Sequence, residues 1–133
     1  MTEMTVRADV GELDRVTDFV NEELELSGCP MKTLMQIDLA VEEIFVNIAH
    51  YAYGPDGGDA AIRVEADSSG ASITFEDGGK PFDPTKKEDP DATAPAEKRQ
   101  IGGLGIFITK KIMDGIAYEY REGKNILSIR KNY

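Results

Sequence analysis

The hydrophobic period of this chain changes partway along its length, and that change restricts its folds more than any other feature. Over about residues 30–53, Leu34, Ile37, Val41, Ile44, Phe45 and Ile48 recur at helical spacing, and Gly54-Pro55 ends the run. From Ile62 onward the period is two. Ile62, Val64 and Ala66 alternate with Arg63, Glu65 and Asp67, and Ile73 and Phe75 alternate with Ser72, Thr74 and Glu76. Neither pattern can adopt the other's geometry without turning apolar side chains to both faces. The chain is therefore read as helices laid on one face of a sheet. That predicts an α+β two-layer sandwich, with a mixed sheet.

The flanking segments fit this frame. Residues 4–8 read as a short strand. Asp9, three residues before Glu12, gives a capping-box-like start to a helix carrying Val10, Leu13, Val16, Val20 and Leu24, which Ser27-Gly28 closes. Ser68-Ser69-Gly70 joins the two alternating strands as a hairpin. Gly102-Gly103 opens a third helix to about residue 114, with Leu104, Phe107, Ile108 and Ile112 as its buried face. Strands at 116–121 and 126–131 close the chain through Glu122-Gly123-Lys124-Asn125. Residues 1–133 are read as one domain, long enough to bury roughly two-thirds of the surface the unfolded chain exposes.

Residues 83–101 interrupt the pattern. They carry Pro84, Pro90 and Pro95, eight charged side chains after Asp83, and almost no large apolar ones. A loop of this length inside a compact domain is commonly a functional lid or a disordered segment.

Composition excludes several classes of function. With 15 basic against 25 acidic residues the net charge is −10, which repels nucleic acid and anionic membranes. An anionic ligand must be held by local devices. One cysteine, Cys29, allows neither an internal disulfide nor a thiolate metal cluster. One histidine, His50, leaves no two-histidine metal site, and no serine sits in G-x-S-x-G. No apolar run approaches 18 residues and the amino terminus is not a signal peptide, so the expected location is the cytoplasm.

Three local patterns can carry chemistry. Glu43 and Asn47 are four residues apart, about 40° around a helix axis, and so point the same way. An asparagine oxygen suits Mg²⁺ and a glutamate can take a proton, although taken alone this spacing is first of all that of a solvated polar face. Asp77-Gly78-Gly79 follows a strand directly. The glycines permit positive φ or a close backbone approach, and Asp77 can accept from an exocyclic amine such as adenine's; an aspartate-capped turn is the plainer alternative. Gly102-Gly103-Leu104-Gly105 stands at a helix start, where free N–H groups and the helix dipole can cradle phosphate; a hinge for the preceding loop is the other reading.

Taken in order, Glu43-Ile-Phe-Val-Asn47, Asp77-Gly-Gly-Lys-Pro-Phe-Asp83 and Gly102-Gly-Leu-Gly-Ile106 resemble the GHKL (Bergerat-fold) ATPases, the superfamily of gyrase, histidine kinases and MutL. The D-x-G-x-P form of the second motif, the run Gly103 to Asp114 and the ending Asn125-Ile-Leu-Ser-Ile-Arg-Lys131 resemble its small bacterial branch, the anti-sigma-factor serine-protein kinases of the RsbW and SpoIIAB type.

The resemblance implies ATP and Mg²⁺ as cofactors. Asn47 would hold the metal and Glu43 would be the general base. Asp77 would read the adenine amino group with Gly79 beside the base. Gly102, Gly103, Leu104 and Gly105 would hold phosphate, residues 84–101 would form the ATP lid, and Ser128 would stand near the adenine. It also implies a serine/threonine kinase acting on a STAS-type anti-sigma-factor antagonist, a sigma factor as a second partner, and a homodimer. The alternative is a nucleotide-responsive module that sequesters a protein without kinase activity.

Cys29, Lys110, Lys111, Tyr118, Tyr120 and Tyr133 are read as packing or surface residues, His50 as packing or site-lining, and Lys98 and Arg99 as belonging to a solvated lid. No phosphoacceptor-histidine helix precedes the domain in this sequence, which argues against a two-component histidine kinase.

Overall fold

A computed structural model of the chain describes residues 1–86 and 103–133. In chain order the elements are β1 (Thr2–Arg7), a 3₁₀ turn (Val10–Glu12), α1 (Leu13–Leu26), α2 (Met31–Tyr51), β2 (Asp59–Asp67), β3 (Gly70–Asp77), a second 3₁₀ turn (Pro84–Lys86), α3 (Gly103–Ile112), β4 (Gly115–Arg121) and β5 (Lys124–Asn132).

The five strands form one sheet in the order β1-β2-β3-β5-β4. Every neighbouring pair is antiparallel, which corrects the mixed sheet expected from sequence. Two features of the connections explain this. An even number of helices separates β1 from β2, so β2 runs back beside β1. β3 and β4 do run the same way, joined through α3, but β5 inserts between them and no parallel pair forms.

The core lies between the sheet and the helices. Val6, Ile62, Val64, Ile73, Phe75, Leu127 and Ile129 project from the strands onto Val16, Val20 and Leu24 of α1 and onto Leu34, Ile37, Val41, Ile44 and Phe45 of α2. Each such side chain contributes roughly 1.5–3 kcal/mol by leaving water.

Four local expectations change. Val10 is 43% exposed, because the chain makes a 3₁₀ turn before α1 begins. Asp9 Oδ1 accepts from the Gly11 N–H, while Glu12 pairs with Arg15, so no reciprocal capping box forms. On α3 the buried residues are Ile106, Thr109 and Met113 close behind its end, while Ile108 is exposed and Phe107 only half-buried. The Thr109 hydroxyl donates to the Gly105 carbonyl at 2.9 Å, which satisfies it inside the helix and lets that face turn inward. Finally, Glu122 and Gly123, at φ 55° and 78°, make the β4–β5 turn by themselves. Lys124 and Asn125, expected in the connection, belong to β5.

Between α1 and α2, burial pushes the Asp38 carboxyl up from its usual range; the Asn21 amide pulls it partly back and Glu42 adds to the rise. An acid whose folded pKa is raised favours folding while protonated, and that contribution is lost as pH climbs from the unfolded value through the folded one. Asp38→Asn is therefore expected to raise the thermal midpoint at pH 7, with the gain over wild type shrinking as the pH drops toward about 4. Thermal melts across that range check the sign.

Candidate functional site

The middle of α2 carries Glu43 and Asn47, one turn apart, and the Asn47 amide donates to Glu43 Oε1 at 3.3 Å. That bond spends the nitrogen of Asn47 on its neighbour and leaves the amide oxygen for another partner. Burial raises the Glu43 carboxyl above its ordinary range; Asn47 lowers it in part and the adjacent Glu42 raises it again. The start of α3 comes in against this carboxylate. A Cβ built on Gly105 would lie 1.8 Å from Glu43 Cδ, so only glycine allows the α3 backbone to approach so near.

The end of β3 supplies Asp77, 6% exposed. Its Oδ1 accepts from the Gly79 N–H at 2.9 Å and from the Asn125 amide at 3.0 Å. Among the described residues Oδ2 accepts nothing. Gly79 is needed for space and not for dihedral freedom, since neither it nor Gly78 has positive φ. A Cβ at Gly79 would fall 2.2 Å from the Ala52 carbonyl oxygen, which accepts from the Lys80 N–H at 3.0 Å. Tyr53 fixes the other side of the turn. Its hydroxyl accepts from the Gly78 N–H at 2.7 Å and donates to the Asp59 carbonyl at 2.6 Å.

Asn125 joins these pieces. Its Nδ2 donates to Asp77 and, at 2.9 Å, to the Lys80 carbonyl; its Oδ1 accepts from the Phe82 N–H at 3.1 Å and from the Tyr118 hydroxyl. One buried side chain thus holds β3, the turn after it and β4 in a single arrangement. Sequence spacing alone puts it in the connection between the last two strands. The two-residue turn at Glu122-Gly123 was the signal that would have set Asn125 on β5.

Asp77, Asn47 and Asn125 share one open cleft. Ile44, Ile48, Phe75, Ile106 and Leu127 form apolar walls, and Lys80, Phe82 and Tyr118 stand around the polar end. An apolar cleft with a carboxylate oxygen that no described residue fills suits a planar heterocycle bearing an amino group. Asn47 offers one oxygen to a hard cation. Among the described residues no group of three or more His, Cys, Asp or Glu side chains could hold a metal ion alone, so a cation here would draw its other oxygens from ligand and water. The residues present fit Mg²⁺ in that company.

The structure brings Glu43, Asn47, Asp77, Gly79 and Gly105 to one end of the sheet. Ser128 is a correction. On β5, Asn125, Leu127 and Ile129 face the helices, so Ser128 faces the opposite side of the sheet, where its hydroxyl pairs with Thr74 at 3.0 Å. The period of two excludes it from the cleft. Gly103 begins α3; Gly102, Lys98, Arg99, the side chain of Leu104 and most of the 84–101 segment lie outside the described residues. His50 is exposed in the last turn of α2, edge-on to Tyr51.

The family model described as the histidine kinase-like ATPase domain matches residues 6–131. The chain belongs to that family. This ATPase domain is 26% identical over 106 residues to a serine-protein kinase RsbW of Listeria monocytogenes, covering 76% of this chain and 68% of the relative. A Bacillus thuringiensis serine-protein kinase RsbW is 31% identical over 104 residues, covering 75% and 65%. The serine/threonine-protein kinase BtrW of Bordetella bronchiseptica is 27% identical over 95 residues, covering 70% and 66%.

Among solved structures, the RsbU and RsbW domains of a Mycobacterium tuberculosis protein superpose with a TM-score of 0.64 at 13% identity, over 98% of this chain and 32% of that one. A histidine kinase domain from Erythrobacter litoralis gives 0.59 at 16%, over 95% and 61%. These likenesses bear out the fold of the ATPase domain and its RsbW-like character. No helix among the described residues is long and apolar enough to cross a membrane.

Proposed function

We propose that this ATPase domain binds ATP and transfers its γ-phosphoryl group to a serine or threonine of a partner protein, a STAS-type antagonist in a partner-switching system that also includes a sigma factor. The observation that carries the reading is the convergence of Asp77, Asn47 and Glu43 on one end of the sheet, beside a glycine-lined approach of α3. Asp77 accepts from the adenine amino group through Oδ2, held in place by Gly79 and Asn125. The cleft's apolar walls cover the ring. Asn47 holds Mg²⁺, which neutralises charge on the phosphate oxygens when bound. The N–H groups at the start of α3 hold phosphate oxygens. Glu43 orients the acceptor hydroxyl and takes its proton, and its raised pKa makes it a stronger base than an ordinary glutamate.

Intact-mass measurement of a STAS-type partner with Mg²⁺–ATP tests this. One added phosphoryl group with wild type, and none with Glu43→Gln, is the expected result. Partner exchange on nucleotide addition without any mass gain would replace the kinase with the sequestering module. Asn47→Ala is expected to remove the Mg²⁺ dependence of nucleotide binding, lowering affinity at least tenfold in Mg²⁺ and little in EDTA. Equal affinities for both proteins in a calorimetric titration with Mg²⁺ would disprove the metal assignment.

A further inference from the structure

Three exposed apolar side chains run in a row along the N-terminal half of α2. Met31 is 68% exposed, Met35 64% and Leu39 50%. Their four-residue spacing stacks them turn upon turn on one face. The core-facing residues Leu34, Ile37 and Val41 point elsewhere, so the row is not a margin of the core. Isolated exposed apolar residues are ordinary, but an ordered row on one helix marks an interaction surface.

The neighbouring helix is acidic on its outer side. Asp14, Asp18, Glu22 and Glu25 of α1 are all exposed at helical spacing. Asn21, within that run, reaches Asp38 of α2, so this flank of α1 borders α2. Glu42 extends the negative charge past Leu39. The nearby cations are few: Arg15 is held by Glu12 at 2.6 Å, and Lys32 lies beside Met31 in sequence.

We propose that this face docks a basic amphipathic helix of a partner protein. Its apolar stripe lies on Met31, Met35 and Leu39, and its lysines or arginines face Asp18, Glu22 and Glu25. The charge pattern selects this occupant. A second copy of the chain, meeting this face through a two-fold axis, would press one acidic row against another. An anionic lipid surface would meet the same repulsion. A cationic helix gains apolar burial and charge complementarity together. The assignment is independent of the chemistry in the cleft, although Leu39 precedes Glu43 by one turn of the same helix.

The probe is a dye-labelled leucine–lysine amphipathic peptide of about 18 residues, followed by fluorescence anisotropy against the full chain without nucleotide. Wild type is expected to bind it, with affinity falling as salt rises. Met35→Gln/Leu39→Gln should weaken binding at least tenfold at an unchanged thermal midpoint, since both side chains are already exposed. Met31→Gln should act in the same direction with a smaller loss, and Glu22→Gln/Glu25→Gln should flatten the salt dependence. Unchanged affinity in the double variant overturns the proposal. So does equal binding of a leucine–glutamate peptide, a wild-type dimer that the double variant dissociates in sedimentation, or anionic vesicles that retain wild type but not the variant.

Discussion

Glu43→Gln is expected to reduce phosphoryl transfer by about 10²–10⁴-fold while leaving nucleotide affinity nearly unchanged. Gln keeps the shape that packs against Gly105, so the approach of α3 is preserved. What is lost is the proton acceptor. The need for a deprotonated carboxylate fixes the sign of the pH dependence, and the raised Glu43 pKa moves the limb upward. Transfer requires the carboxylate, so the rate of wild type falls as pH drops through that raised pKa. The fall begins at a higher pH than the ordinary glutamate value of about 4.3 would give. The residual rate of the glutamine variant should lack this limb. Single-turnover transfer measured across pH, with nucleotide affinity titrated in parallel, separates the two effects. A variant that transfers at the wild-type rate would remove Glu43 from the reaction.

Gly79→Ala is expected to abolish nucleotide binding and to destabilise the chain by about 2–4 kcal/mol. The added methyl would sit 2.2 Å from the backbone oxygen of Ala52, which cannot rotate away as a side chain would. Either the end of α2 or the turn after β3 must move. Both movements stretch the Lys80–Ala52 bond, and the second also withdraws the Gly79 N–H from Asp77. The carboxylate then loses the contact that aims its free oxygen into the cleft. Gly54→Ala is the control, because a Cβ there meets nothing within 4 Å and its melt should match wild type. Equal midpoints and equal nucleotide affinity for Gly79→Ala and wild type would mean that the turn relaxes freely.

Much of this architecture was legible residue by residue. The stripe of Leu34, Ile37, Val41, Ile44 and Phe45 identified α2, and the alternation around Ile62 and Ile73 identified a hairpin, because burying one face imposes a strict period. Glu43 and Asn47 could be paired from spacing alone, since both lie on one helix. The departures arise from local turns and pleats as well as from distant contacts. The resemblance puts Ser128 near the adenine, but the pleat turns it to the opposite face of the sheet. Spacing puts Asn125 in the last connection, but it lies on β5 and bonds with Asp77, far away in sequence.

The sequence by itself determined the element types, the helix-over-sheet layering and the positions where a missing side chain permits close backbone approach. These follow from periodicity and from the size of a side chain, which are local properties. The tertiary structure alone decided that β5 lies between β3 and β4, that its register brings Asn125 opposite Asp77, and that α3 closes on Glu43. Those outcomes depend on the competition among long-range pairings for one shared core, and no window of sequence contains both partners of such a contact.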